Sequence, residues 1–443
     1  MRKLEVRFTR SSDDERVVGT LAEDRGRTYF EYAPAFVETG LNLSPLKIPL
    51  ETGLFEHRDL AFGPLPGLFD DSLPDGWGLL LMDRHLRSLG FPLAEVHALD
   101  RLAWLGRRTM GALTYHPPAE PAETTARFLD LQTLAEHARQ VLEGKVSEVL
   151  PELARAGGSP GGARPKVLVG FDPGEERLLS GADELPESHE HWIVKFTPRG
   201  EGDDDGAIEY AYALMARAAG IAMPACRLFE TSTGDLFFGV RRFDRERGRR
   251  LHMHSFGNLI HSNFRVPSLD YADLLKVTSV LTHNHQDVIE VFRRMVFNVL
   301  AHNRDDHVKN WAFLLDDGSG EWRLSPAFDL SPSSGPGGEH SMTVAGEGKS
   351  PQREHVNALA KSAGIGRAGR DEIVDQVTAA VRSWPRFARK AGLARESVAR
   401  VGEMHLWTKS SSSSRGRAPE GKSTATNASR GPRTPSASRL RKR

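Results

Sequence analysis

The sequence predicts an α+β fold in two lobes, a mixed α/β lobe followed by a mainly α-helical one, with an additional small α+β domain ahead of both. Three observations carry that prediction. Residues 1–118 read as short strands around one helical stretch at Gly76 to Leu89, and they end in the breaker-rich run Pro117-Pro118-Ala119-Glu120-Pro121. Strand-like runs then alternate with a helical pattern through residues 119–245. From 246 to 407 apolar residues recur at helical spacing, as in Leu274, Leu275, Val277 and Leu281 followed by Val288, Val291, Phe292 and Met295. A chain of 443 residues, 39% of them hydrophobic, is long enough for two or three domains with real cores.

The elements follow in order. Phe128 to Leu153 has helical period and leads into Gly157-Gly158-Ser159-Pro160-Gly161-Gly162-Ala163. This glycine-rich loop runs through Arg164-Pro165-Lys166 into the strand-like Val167-Leu168-Val169-Gly170, so its backbone N–H groups can face phosphates. It is neither a Walker A loop nor the dinucleotide fingerprint, both of which open a helix. His191 to Phe196 is an apolar strand with Lys195 near its end. A Lys there suits contact with α/β-phosphates, and it suits an edge strand equally. Asp203-Asp204-Asp205 precedes a helix from Ile208 to Gly220, in whose first turn Glu209 either pairs with Lys195 or favours the positive helix end. Asp235 to Asp244 reads as a strand leaving its sheet into a connection, the place where a hinge would hold adenine by backbone hydrogen bonds. Helices over Asp371 to Ala391 and Glu396 to Trp407 close the second lobe.

The chemistry concentrates in Asn303-Arg304-Asp305-Asp306-His307-Val308-Lys309-Asn310 and Ala327-Phe328-Asp329. Phosphoryl transfer needs one carboxylate to orient a hydroxyl and take its proton, and hard oxygen ligands for Mg2+. Asn310 lies five positions after Asp305 and Asp329 lies 24 after it, the protein-kinase arrangement. Trp311 to Leu315, the turn Asp316-Asp317-Gly318-Ser319-Gly320 and Trp322 to Leu324 read as a hairpin that returns Asp329 to the side of Asn310. A surface loop capping a helix would use the same Asp and Asn residues. The order of glycine-rich loop, Lys, Glu helix, connecting strand, Asp-to-Asn loop and Asp favours a kinase. His57-Arg58-Asp59-Leu60 copies the wording of a kinase catalytic loop, but it precedes the glycine-rich loop, position 64 is Pro, and it reads as a turn.

A zero net charge gives no global field toward nucleic acid. The single Cys226 excludes an internal disulfide framework and fits a reducing cytoplasm. The charged Met1 to Arg7 start predicts no signal peptide, and no run of ~18 apolar residues predicts a membrane span. His252, His254, His261, His283 and His285 lack the Cys or carboxylate spacing of a zinc site. Residues 408–443 carry ten positive residues against Glu420 alone, hence about +9, and their Ser, Gly, Pro and Thr content predicts a disordered appendage.

The chain resembles the HipA-type serine/threonine kinases, toxins of bacterial type II toxin–antitoxin pairs, over roughly residues 5–400. The motifs that carry this are Phe69-Asp70-Asp71-Ser72-Leu73-Pro74-Asp75-Gly76-Trp77-Gly78, Gly106 to Leu113, Ser159 to Lys166, Ile193-Val194-Lys195, Arg242-Phe243-Asp244-Arg245, Asp305 to Asn310 and Phe328-Asp329. The resemblance implies Asp305 as catalytic base, Asn310 and Asp329 as Mg2+ ligands and Lys195 as the phosphate-contacting residue. It implies further ATP contacts from Ser159, Gly161, Gly162 and Ala163 in the loop, from Arg241 and Phe243 at the adenine, and from His307 and Lys309, with His307 also orienting the catalytic loop. Ser159 falls where the family carries an autophosphorylated serine, and a phosphate of about −1.5 to −2 charge there would repel ATP. Here Pro160 follows it, fixing φ within the loop. Asp306, a second carboxylate beside the base, either raises a pKa, adds a metal contact or is a solvated turn charge.

The expected activity is therefore ATP- and Mg2+-dependent phosphorylation of a protein, with growth arrest as the result. The resemblance implies a translation component such as glutamyl-tRNA synthetase as substrate, a helix-turn-helix antitoxin of the HipB type as partner, and DNA contact only through that partner. Two alternatives stay open: a small-molecule phosphotransferase using the same residues, and a co-repressor that works with its antitoxin on DNA.

Overall fold

The computed structural model describes residues 1–119, 128–146, 149–156, 162–180, 185–197 and 204–406. Gly157 to Gly161, with Ser159 and Pro160, and the basic segment 408–443 lie outside the described residues.

β1 (Arg2–Ser11) buries Leu4, Val6 and Phe8 at a period of two, the mark of a strand with one face on a core. It joins β2 (Asp14–Asp24), β3 (Arg27–Tyr32), β4 (Leu54–Glu56) and β5 (Leu113–His116) in an antiparallel sheet of order β4-β3-β2-β1-β5. Two of these strands, at 10 and 11 residues, are longer than the short strands expected. The helix Gly76–Ser88 forms where expected, and a second helix, Ala98–Leu105, turns Leu99, Leu102 and Leu105 inward.

The next sheet contains β6 (Lys166–Asp172), β7 (Arg177–Ser180), β8 (Glu190–Lys195), β9 (Cys226–Glu230) and β10 (Leu236–Arg241) in the order β7-β6-β8-β10-β9. Every residue of β6 is buried. Part of the covering comes from the N-terminal domain, whose Trp77 and Leu81 share one apolar cluster with Val167, Val169 and Phe171. The helix Asp205–Ala218 packs against β9 and β10. The helix expected over Phe128 to Leu153 is two helices, Leu131–Leu142 and Pro151–Ala156. Gly144, at φ 68°, ends the first, with Lys145 N–H donating to Gln140 O and Gly144 N–H to Val141 O, as in a Schellman motif.

After the hairpin of β11 (Arg245–Glu246) and β12 (Arg249–Arg250), β13 (His252–Ser255) pairs with β14 (Ala312–Leu315), which pairs with β15 (Trp322–Leu324). The last two are the expected hairpin. Helices Tyr271–Thr282 and His285–Leu300 fill the second lobe; Asp270 and Asn284 cap them by accepting from Ala272 and Gln286 N–H. Val288, Val291, Phe292, Met295, Val296 and Val299 form the buried stripe of the longer one. Helices Arg353–Ser362, Arg367–Arg382, Trp384–Lys390 and Arg395–Met404 follow. The helix expected over Asp371 to Ala391 is broken at Ser383, because Pro385 has no N–H with which to continue the preceding ladder. One continuous core joins Phe30 and Phe69 of the first domain to Phe256 and to Phe292 of the helical lobe. No helix among the described residues is long and apolar enough to cross a membrane.

Candidate active site

A cavity of ≈ 820 Å³ lies where these parts meet. Its apolar wall includes Ile193, Met223, Val240, Phe243, Phe328 and Leu330; its polar end brings together Lys166, Lys195, Asp305, Lys309, Asn310 and Asp329. Gly162, Ala163, Arg241 and His307 also line it, so the described candidates from five separate sequence segments converge on one space.

Lys195 closes β8 and is the centre of the charge arrangement. Its Nζ lies 2.6 Å from Glu209 Oε1 and 2.5 Å from Asp329 Oδ1. The two readings of Glu209 are thereby resolved in favour of the Lys pair, and Glu209 is 4% exposed. Burial works against the Lys195 charge, but Asp329 and Glu209 outweigh it and hold the ammonium above its usual range. Lys195 in turn depresses the Asp329 carboxyl strongly, while burial pushes Glu209 up. Asp329 sits at φ 57°, a left-handed conformation that Asp tolerates better than most residues and that is often found at functional sites. Lys166, at the start of β6, is the cross-strand neighbour of Lys195. Burial, then the Lys195 charge, pushes its ammonium down. Nothing local in the sequence marks Lys166 beyond its place in the Arg164-Pro165-Lys166 run ahead of a strand.

Asn310 Nδ2 donates to Asp305 O at 2.7 Å, which ties the two ends of the loop. His307 caps the short Val308–Asn310 turn, and its Nδ1 accepts from Lys309 N–H at 3.2 Å. Asp305 is exposed within the cleft, yet the surrounding walls desolvate it; together with Asp329 and Asp306 this raises its carboxyl pKa, with His307 opposing. Asp306 follows one of its three expectations, since its charge helps to raise the Asp305 carboxyl pKa. At 1% exposure it is neither a solvated turn charge nor a metal ligand: it accepts from Tyr271 Oη at 2.6 Å, His340 Nδ1 at 2.8 Å and Ser341 N–H at 2.8 Å. Tyr271→Phe deprives Asp306 of one donor and Asn298 Nδ2 of its acceptor. It should cost about 1–3 kcal/mol in urea denaturation; an unchanged midpoint would show the network to be dispensable.

Lys309 Nζ reaches Asp70 Oδ2 at 3.2 Å, and Asp71 accepts from Ser255 N–H, Ser255 Oγ and Asn258 Nδ2 at 2.8, 2.6 and 2.8 Å. At the end of β10 and just beyond it, Arg241 and Arg242 N–H donate to Ala225 O and His191 O, so these two donors are already engaged. Asp244, fully buried, takes two bonds from Arg242 at 2.9 and 2.8 Å, one from Arg245 at 2.7 Å and one from Gly111 N–H at 2.7 Å. Arg242, Arg245 and Arg250 donate to Thr109 O as well, so the connection after β10 is latched to the N-terminal domain.

The donor set suits Mg2+ and a nucleotide. Asp305, Asn310 and Asp329 offer hard oxygens, while three lysines offer cations to phosphates. Among the described residues no trio of His, Cys, Asp or Glu converges on a metal. Mg2+ is usually held by one or two carboxylates plus substrate phosphates, and Asp305 and Asp329 are the carboxylates of this cavity with Asp71, Asp75 and Glu209 beside them.

The family model described as HipA-like C-terminal domain matches residues 158–384, and the one described as HipA N-terminal domain matches 12–116. A Sinorhizobium fredii protein named “Putative kinase Y4dM” is 27% identical over 331 residues, 69% of this chain and 72% of that one. Among solved structures, the HipA, HipB and operator DNA complex of the Shewanella oneidensis MR-1 toxin–antitoxin system contains a similar fold, with TM-score 0.66 at 18% identity over 90% of this chain and 95% of the other.

Proposed function

We propose, from the premise that this chain belongs to the HipA family, that it is an ATP- and Mg2+-dependent protein serine/threonine kinase that inhibits growth. The observation that carries the reading is Lys195, fixed between Glu209 and Asp329, facing the same cavity as Asp305 and Asn310. ATP and Mg2+ supply the phosphoryl group and the neutralisation of its charge. In this reading Lys195 and Lys166 bind phosphate oxygens, and Asn310 and Asp329 hold the metal. Asp305 orients the acceptor hydroxyl and receives its proton. The apolar wall from Ile193 to Phe328 excludes water and seats the base.

A translation component, with glutamyl-tRNA synthetase as the first to test, is the proposed substrate, and Ser159 the proposed autophosphorylation site. A HipB-type antitoxin is the proposed partner, which the Shewanella complex supports. Intact-mass spectrometry of the wild type and Asp305→Ala after incubation with ATP and Mg2+ tests the chemistry. A phosphate gained by the wild type alone and mapped to Ser159 is expected. Equal phosphate on both proteins would remove Asp305 as the base, and none on either would turn the search to small-molecule acceptors.

A further inference from the structure

The N-terminal domain contributes no reacting group, yet it reaches the nucleotide cavity. Gly162 N–H donates to Asp75 Oδ1 at 2.5 Å, and Trp77 N–H donates to Gly162 O at 3.1 Å. Both backbone polar groups of Gly162 are thus answered by one turn of the other domain. Trp77 Nε1 also donates to Lys166 O at 3.0 Å. Between them Gly76 sits at φ 45°, and a Cβ placed there would lie 2.6 Å from Gly162 O and 3.0 Å from Ala163 Cα. Only glycine permits that approach. The anchor is rigid because Trp77, 1% exposed, packs with Val167, Val169 and Val194.

We propose that Asp75, with Gly76 and Trp77, is a positioning element for the nucleotide: it fixes Gly162 to Lys166 against the cavity, so that the N-terminal domain sets part of the phosphate-binding wall. This rests on the kinase reading above. Gly162, Ala163 and Lys166 all line the cavity, and Lys166 begins β6 opposite Lys195. A shift of the Gly162 seat therefore moves a phosphate-facing cation. Asp75 acts through Gly162 and not on the reacting atoms. Its negative charge faces the same space as the phosphates, which makes Asn, an equal acceptor without charge, the informative conservative variant.

The test is Mg-ATP affinity by titration calorimetry, together with amide exchange of the 162–172 peptide without nucleotide, for the full chain carrying Asp75→Ala, Asp75→Asn or Gly76→Ala. Loss of one hydrogen bond to a carboxylate should weaken Mg-ATP binding about tenfold in Asp75→Ala and speed exchange at 162–166. Gly76→Ala should behave alike, and Asp75→Asn should restore both readouts. Asp75→Ala binding as tightly as the wild type or more so, or unchanged exchange, overturns the proposal. A wild type that binds no Mg-ATP instead overturns the kinase reading itself, and this proposal with it.

Discussion

Replacing Asp305 with Ala is expected to lower phosphate incorporation by about 10²- to 10⁴-fold, the range a positioned general base supplies, while the melting temperature stays at the wild-type value. The two halves of this expectation come from one geometry. The Asp305 carboxylate is exposed in the cleft, and it is the Asp305 backbone carbonyl, retained in Ala, that accepts from Asn310 Nδ2. The loop therefore keeps its shape without the carboxylate. The same site predicts a pH profile. Desolvation, with Asp329 and Asp306 as like charges nearby, raises the Asp305 carboxyl above its usual range. A base works deprotonated, so kcat should fall as pH drops through that raised value and be flat above it. An acid limb at the ordinary carboxylate pKa, or activity that survives in Asp305→Ala, would assign the proton to another group.

The largest effect on stability should come from Asp244→Ala. This carboxylate is fully buried and held far below the usual carboxylate range because the Arg242 and Arg245 charges overcome the burial that opposes them. Arg242 and Arg250 are themselves buried at 5% and 9% exposure. Removing Asp244 takes from Arg242 and Arg245 the carboxylate that both of them bond, and breaking a buried pair in this way typically costs about 3–5 kcal/mol. Asp244→Asn, which keeps an acceptor and the shape, should lose less. Equilibrium denaturation in urea reads both, and a loss below about 1 kcal/mol in Asp244→Ala would mean that the Thr109 carbonyl suffices to hold the arginines.

That Asp305, Asn310 and Asp329 come to one cavity was legible because the loop and the hairpin between them are set by short-range order and turn residues. Helix ends were less so. Gly144 and Pro385 both stood in the sequence as stop signals, yet the apolar period continued across them and masked the breaks. What sequence could not decide was pairing at a distance. Glu209 had a local explanation at the positive end of its helix, the commoner reading, and only the packing of that helix against β10 brings it onto Lys195. Asp306 stayed open between a pKa effect, a metal contact and a surface charge because its three donors come from Tyr271, His340 and Ser341, each more than thirty positions away. Asp70, Asp71 and Asp75 stood out as a motif without a task, since their partners lie in the two other parts of the chain.

Those three carboxylates occupy six consecutive positions, and from them Asp75 holds Gly162 of the first lobe while Asp70 and Asp71 hold Lys309 and Ser255 of the second. The segment is thus a strut of fixed length between the jaws of the cleft. Where two lobes are joined by a connecting strand alone, they can breathe by hinge rotation; here such opening must break a bond at one end of the strut. For the nucleotide proposed to bind there, exchange should then be slow and strongly temperature-dependent, with a residence time governed by the rate at which those carboxylates let go.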